Sequence, residues 1–217
     1  MNNELWLNKW LANDIAFHET KTNPDLIKYL TELKLSRGST IFVPFCGKTK
    51  DMWWLADNGF QVVGVELSKI ACNAFFSERN ITPDILQKGK FVIYEHENIK
   101  VFCGDLFDLT ASDLPQTHAV YDCKAMIALP PSVRKKYVDH IIACTGIKIN
   151  VLLITREFES TVVPPPYPIN REEINLLFNS AFKVKQVKNL SLLNIPDRLK
   201  KKGYCDITEC VYVITSI

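Results

Sequence analysis

Three carboxylates stand at the ends of apolar runs. Glu66 closes "QVVGVEL" (61–67), Asp105 follows "VFCG", and Asp122 closes "HAVYD" (118–122). A carboxylate ending the second strand of a nucleotide-binding sheet is placed to accept hydrogen bonds from both ribose hydroxyls. Glu66 follows Gly47 by 19 residues, close to the roughly 20 that such sites show. Gly47 lies in "PFCGK", where a missing side chain lets the backbone approach a ligand and the next helix offers free N–H groups to a carboxylate. Asp105 is placed to read an adenine amino group, although Gly-Asp is also ordinary turn chemistry. Tyr121-Asp122-Cys123-Lys124 sets an acid, a thiol and a base beside the loop "MIALPPS", a polarity that reads as a pocket.

What is missing narrows the ligand. Neither G-x-G-x-x-G nor G-x-x-x-x-G-K-[ST] occurs, so a pyrophosphate cradle is poorly supported and NAD, FAD and ATP are disfavoured. An adenosine cofactor without phosphates, S-adenosylmethionine, fits better. The seven cysteines are scattered without a CxxC pair, Cys205 and Cys210 being nearest, which favours reduced, mostly buried thiols over a metal site. His18 in "AFHET" is a candidate base or gate, with packing and hydrogen bonding in an aromatic segment the preferred role.

The elements that must position these residues alternate. "TIFVPF" (40–45) is a continuous apolar run, expected of a strand buried on both faces. "KDMWWLADNG" is helical with Gly59 as its stop, and "SKIACNAFFSERN" is a helix that Ser68 caps. Residues 81–100 break the alternation as an insertion with a hairpin around His-Glu-Asn. A strand at 118–122, a helix over 132–146, a strand at 150–159 and a short helix from Arg171 follow. "FKVKQVKNL" and "CDITECVYVITS" form a terminal antiparallel pair. Such βαβ alternation implies a mostly parallel sheet with helices on both faces and a crevice at its C-terminal edge.

Composition sets the limits. With 217 residues the chain suffices for one sizeable α/β domain over 1–217. A net charge of +2, from 26 basic and 24 acidic side chains, gives no reason to invoke nucleic acid or an anionic membrane. The first residues, "MNNELWLNKWLAND", do not read as a signal peptide, and no apolar run nears the roughly 18 residues of a span. A cytoplasmic protein is expected. The "RLKKK" run (198–202) reads as a solvated face and "PPPYP" (164–168) as a stiff loop.

In chain order, "WLNKWLANDIAFHET", "FVPFCGKTKDMWWLADNGFQVVGVELSKIACNAFF", "FCGDLFDL", "YDCKAMIALPPSVRKKYVDH" and "LLITREFES…VPPPYPI" resemble the thiopurine S-methyltransferases, especially bacterial members, over nearly the whole chain. The resemblance implies a Rossmann-like class I methyltransferase fold with a seven-stranded, mostly parallel sheet whose last strand is antiparallel. It also implies S-adenosylmethionine as methyl donor, no metal, and an aromatic or heterocyclic thiol as acceptor for a monomeric enzyme. Trp6, Trp10 and Phe17 then belong to a helical N-terminal cover (1–35) over the cofactor, and Phe45 and Gly47 lie against its methionine part. Glu66 binds the ribose, Asp105 and Leu106 flank the adenine, and Asp122 and Cys123 join the cofactor contacts. One position departs from the family. Cys123 stands where an Arg is usual, and Lys124 substitutes for that cation only if the backbone turns it into the site. The departure keeps two alternatives open, a selenium or tellurium acceptor and a catalytically silent cofactor-binding homologue.

Overall fold

A computed structural model describes residues 2–160, 165–178, 181–192, 195, 197–200 and 203–217. Pro164 of the proline run, and Lys201 and Lys202 of the basic run, lie outside the described residues.

The N-terminal stretch forms helices α1 (Asn3–Leu11) and α2 (Pro24–Tyr29) and a 3-10 turn (Leu30–Leu33). The α/β alternation then runs β1 (Thr40–Pro44), α3 (Lys50–Asp57), β2 (Gln61–Glu66), α4 (Lys69–Ser77), β3 (Asp84–Lys88), β4 (Phe91–His96), β5 (Ile99–Cys103) and β6 (Ala119–Cys123). It ends with α5 (Pro131–Thr145), β7 (Asn150–Ser160), α6 (Arg171–Phe178), β8 (Phe182–Ser191), α7 (Asp197–Lys200) and β9 (Tyr204–Ser216). Helix boundaries follow local chemistry. Thr49 and Ser68 cap α3 and α4 by accepting from the backbone N–H groups of Asp51 and Ala71. Gly146, at φ +87°, closes α5.

The sheet has nine strands in the order β3-β4-β5-β2-β1-β6-β7-β9-β8, two more than the seven expected. The surplus is the β3–β4 hairpin. Without it the remaining order is β5-β2-β1-β6-β7-β9-β8, in which β5, β2, β1, β6 and β7 run parallel and β9 runs antiparallel to both neighbours. The sequence indicated β4 and β5 but not β3, and the reason is physical: every residue of β3 is exposed, so no burial pattern marks it. Its pairing with β4 rests on backbone hydrogen bonds at the sheet edge.

The central strands are buried on both faces and their side chains divide by parity. Ile41 and Val43 join one core with Leu26, Met52, Leu55 and Phe75 from α2, α3 and α4. Phe42 and Val63 join the other with Tyr137, Val138 and Ile174 from α5 and α6. Helices therefore cover both faces, and β1 sits where the winding reverses, flanked by β2 and β6. No helix among the described residues is long and apolar enough to cross a membrane.

Candidate functional site

The C-terminal ends of β5, β2, β1 and β6 meet at this reversal point, and hydrogen bonds tie them together. Cys46 N–H donates to the Val65 carbonyl (3.0 Å), and Gly104 N–H donates to the Glu66 carbonyl (2.9 Å). Glu66, only 6% exposed, accepts from Gly47 N–H through Oε2 (2.9 Å) and from Ser68 N–H through Oε1 (2.7 Å). Each carboxylate oxygen thus has one donor and keeps a lone pair for another. Burial pushes the Glu66 carboxyl up to about 6, with these N–H groups pulling the other way.

Gly47 adopts φ +55°, and a Cβ there would lie 3.3 Å from Cζ2 of Trp10. The indole of α1 therefore closes over the β1 turn where a side chain would interfere. Phe17 joins Trp10 and Trp6 edge-to-face, with ring centroids 5.5 and 5.4 Å apart, so the three predicted aromatic residues form one cluster. Phe45 sits at φ +48°, an uncommon conformation for a side-chain-bearing residue, and stacks on Tyr137 of α5 at 5.7 Å.

Asp105 accepts from Phe107 N–H (2.9 Å) and, through Oδ2, from the Asn3 amide (2.7 Å), linking α1 to the end of β5. Asn3 Oδ1 is buried with no hydrogen-bond partner among the described residues. Leu106 lies beneath, 1% exposed, within the α5-side core.

Two further expected site residues lie among the protein's own contacts. Asp122 is 2% exposed and its carboxylate is engaged within the protein. Oδ1 accepts from Ala125 and Met126 N–H (2.9 and 3.3 Å) and Oδ2 accepts from the Tyr137 hydroxyl (2.7 Å), so it fixes the turn that follows β6. Burial pushes this carboxyl up to about 6 as well. His18 is half-buried, and burial together with the positive charge of Lys48 holds its imidazole below the ordinary histidine value.

Cys123 and Lys124 point to the N-terminal cover. Cys123 Sγ accepts from the Asn23 amide at 3.3 Å, and burial pushes the thiol up to about 12 against the pull of Lys124, so it is not a thiolate at neutral pH. Lys124 takes φ +65°, which turns it off the strand, and its ammonium pairs with Glu19. Sequence reasoning missed Asn23 and Asp51, and gave Tyr121 no role of its own; the three brace this corner. Asp51 accepts from Asn23 N–H (2.7 Å) and from the Tyr121 hydroxyl (2.8 Å). The Asn23-Pro24 helix-start signature was the only local hint.

Arg134 was missed too. It is fully buried in α5; its Nη1 donates to both carboxylate oxygens of Glu173 (2.9 and 2.8 Å), its Nε to the Met126 carbonyl (3.3 Å), and its Nη2 to the carbonyls of Tyr167 and Pro168 (3.0 and 3.1 Å). Tyr167 N–H adds a bond to the Ile127 carbonyl (2.7 Å), so the segment after β7 is fastened to the turn after β6. Among the described residues no group of His, Cys, Asp and Glu is arranged to hold a metal.

A mostly parallel sheet of this order, with an antiparallel strand inserted near one edge, is the class I methyltransferase fold. Two solved structures share the fold. One is Burkholderia thailandensis 1,6-didemethyltoxoflavin-N1-methyltransferase, which carries that substrate and S-adenosylhomocysteine. It aligns with TM-score 0.67 at 12% identity, covering 99% of this chain and 87% of its own. The other is magnesium protoporphyrin IX methyltransferase of Synechocystis with bound S-adenosylhomocysteine, with TM-score 0.66, 10% identity and all of both chains covered. The particular family comes from sequence. The family model of thiopurine S-methyltransferase matches residues 1–217. The thiopurine S-methyltransferase of Pseudomonas syringae pv. pisi is 36% identical, covering 100% of both chains. The chain belongs to the thiopurine S-methyltransferase family.

Proposed function

We propose that the protein transfers the methyl group of S-adenosylmethionine to the sulfur of an aromatic or heterocyclic thiol, acting as a single methyltransferase domain, a cytoplasmic monomer with a small-molecule acceptor. The observation that carries this reading is Glu66, a buried carboxylate that orders the Gly47 turn and retains acceptor capacity.

The residues present fit the cofactor. Glu66 is set to take the ribose hydroxyls, and the turn at Phe45–Gly47 under Trp10 is set to take the methionine end. At the adenine end, the orphaned Asn3 Oδ1 beside Asp105 offers an acceptor to the exocyclic amine. When bound, S-adenosylmethionine supplies an electrophilic methyl carbon that a sulfur nucleophile displaces in line. The protein's part is alignment and a field that favours the thiolate. Lys124 is the cation at the end of β6, and Asn23 adds an amide donor beside Cys123. Aromatic thiols ionise readily enough that a cation suffices where a general base is absent. A thiol carries no positive charge in either protonation state, and burial together with Lys48 disfavours the charged form of His18.

The test is transfer of labelled methyl to an aromatic thiol by the wild type and by Cys123→Arg. Turnover by the wild type is expected. A wild type that binds the cofactor yet methylates no thiol, with or without the new Arg, would overturn the reading.

A further inference from the structure

The cation proposed to meet the acceptor already has a partner, and the two members of that pair differ in their freedom. Lys124 is fixed at its base. Its N–H donates to the Ile154 carbonyl on β7 (2.9 Å), its φ is +65°, and the next two N–H groups are held by Asp122. Its side chain is 18% exposed, so its ammonium needs an anion nearby. Glu19 is 44% exposed and lies in the loop between α1 and α2, so water readily replaces the lysine as its partner. If one member leaves, it is the carboxylate.

Resting on the S-methyltransferase reading above, we propose that Glu19 is a displaceable counter-ion for Lys124, and that an acceptor enters as a thiolate by taking the place of its carboxylate. The exchange is one negative charge for another, so the partly buried ammonium stays compensated throughout. A neutral thiol cannot make it, which turns the pair into a selector for sulfur acceptors that ionise at working pH. The chemistry then reverses the exchange. The thiolate's electron pair forms the new S–CH3 bond, and the pair of the breaking bond stays on the donor sulfur. Thiolate and sulfonium thereby become two neutral thioethers. Lys124 is left without an anion, and Glu19 returns to it and expels the product. The rest of the cover need not move, since Trp10 on Gly47 and Asn3 on Asp105 hold it independently of residue 19.

The test compares wild type, Glu19→Gln, Lys124→Gln and the double variant in two assays. Calorimetry with S-adenosylhomocysteine present reads binding of a nitro-substituted benzenethiolate, and steady-state transfer reads kcat and KM for the same thiol. Glu19→Gln is expected to bind the thiolate at least threefold tighter and to show a lower kcat, because product leaves more slowly. It is expected to bind S-adenosylhomocysteine like the wild type, to gain nothing toward an aliphatic thiol that stays protonated, and to have no effect in the Lys124→Gln background. Unchanged thiolate binding, or a gain that survives in that background, would overturn the proposal. So would a loss of S-adenosylhomocysteine affinity, which would make Glu19 a strap for the cover. Methyl transfer failing in all four proteins while the binding pattern holds would instead count against the S-methyltransferase reading alone.

Discussion

At the scale of single residues, Glu66 carries the most weight, and its burial gives two pH effects of opposite sign. Its carboxyl rises from the ordinary 4.5 to about 6 in the fold. The folded state therefore holds that proton more tightly than the unfolded chain. Across that window the unfolded chain ionises first, so rising pH costs unliganded stability, by about 2 kcal/mol at roughly 1.4 kcal/mol per pKa unit. With Glu66 in the proposed role, ribose hydroxyls would donate to its ionised form, so affinity for S-adenosylhomocysteine is expected to climb between pH 5 and 7. Calorimetry should show that rise in the wild type and a flatter profile in Glu66→Gln. Glu66→Ala should weaken binding by roughly 1.5–3 kcal/mol at pH 7, the range for charge-assisted hydrogen bonds; unchanged affinity would remove Glu66 from the site. Gly47→Ala probes the same floor. It places a methyl 3.3 Å from the Trp10 ring at φ +55°, a backbone cost of about 1–2 kcal/mol, so weaker cofactor binding and altered tryptophan emission are expected.

At the scale of elements, the central strands were legible because burial on both faces writes continuous apolar runs, and the carboxylates at their ends followed. What was not legible has a common cause. Asn3 meets Asp105 across 102 residues, Glu19 meets Lys124 across 105, and Asn23 meets Cys123 across 100, and no local pattern encodes such pairings. The direction of Lys124 depends on one positive φ at a strand end, which a lysine does not advertise. Arg134 was hidden differently, standing in "SVRKKY" beside two lysines that are exposed while it is fully buried. It serves as a rivet between α5, α6 and two loops, and the planar fork explains why arginine is used. Arg134→Met strips donors from three carbonyls and leaves Glu173 unpaired. Because Glu173 keeps 31% exposure, the loss should be at the low end for a broken buried pair, about 3 kcal/mol. For a chain of this size that is roughly 6–12 °C in Tm. Arg134→Lys should recover little of it, as a single ammonium cannot reach Glu173 and three carbonyls together. Thermal unfolding of the two variants checks this.

At the scale of the whole molecule, the sheet and the first part of the N-terminal cover, α1 with the loop after it, are stabilised by different means, while Leu26, Leu30 and Leu33 further on are anchored in the core. The sheet has two cores of its own, whereas α1 buries only Trp10 and is held by contacts with strand ends: an indole on Gly47, an amide on Asp105, and the Glu19–Lys124 pair. A segment with so little apolar burial opens at a small free-energy cost, well below that of global unfolding. A ligand lying between cover and strand ends must then stabilise both, but unequally. S-adenosylhomocysteine at a hundredfold excess over its Kd adds about 2.7 kcal/mol to global stability, roughly 5–11 °C in Tm. Its effect on local opening of the cover should be proportionally far larger, because the starting cost is small. Limited proteolysis in the loop between α1 and α2 is therefore expected to slow on adding S-adenosylhomocysteine at temperatures where the sheet stays folded. Trp10→Ala should lose most of that protection while keeping much of the Tm shift, since Glu66 and Asp105 belong to the sheet. A cleavage rate indifferent to ligand, alongside a normal Tm shift, would mean that the cofactor lies on the strand ends without the cover closing over it.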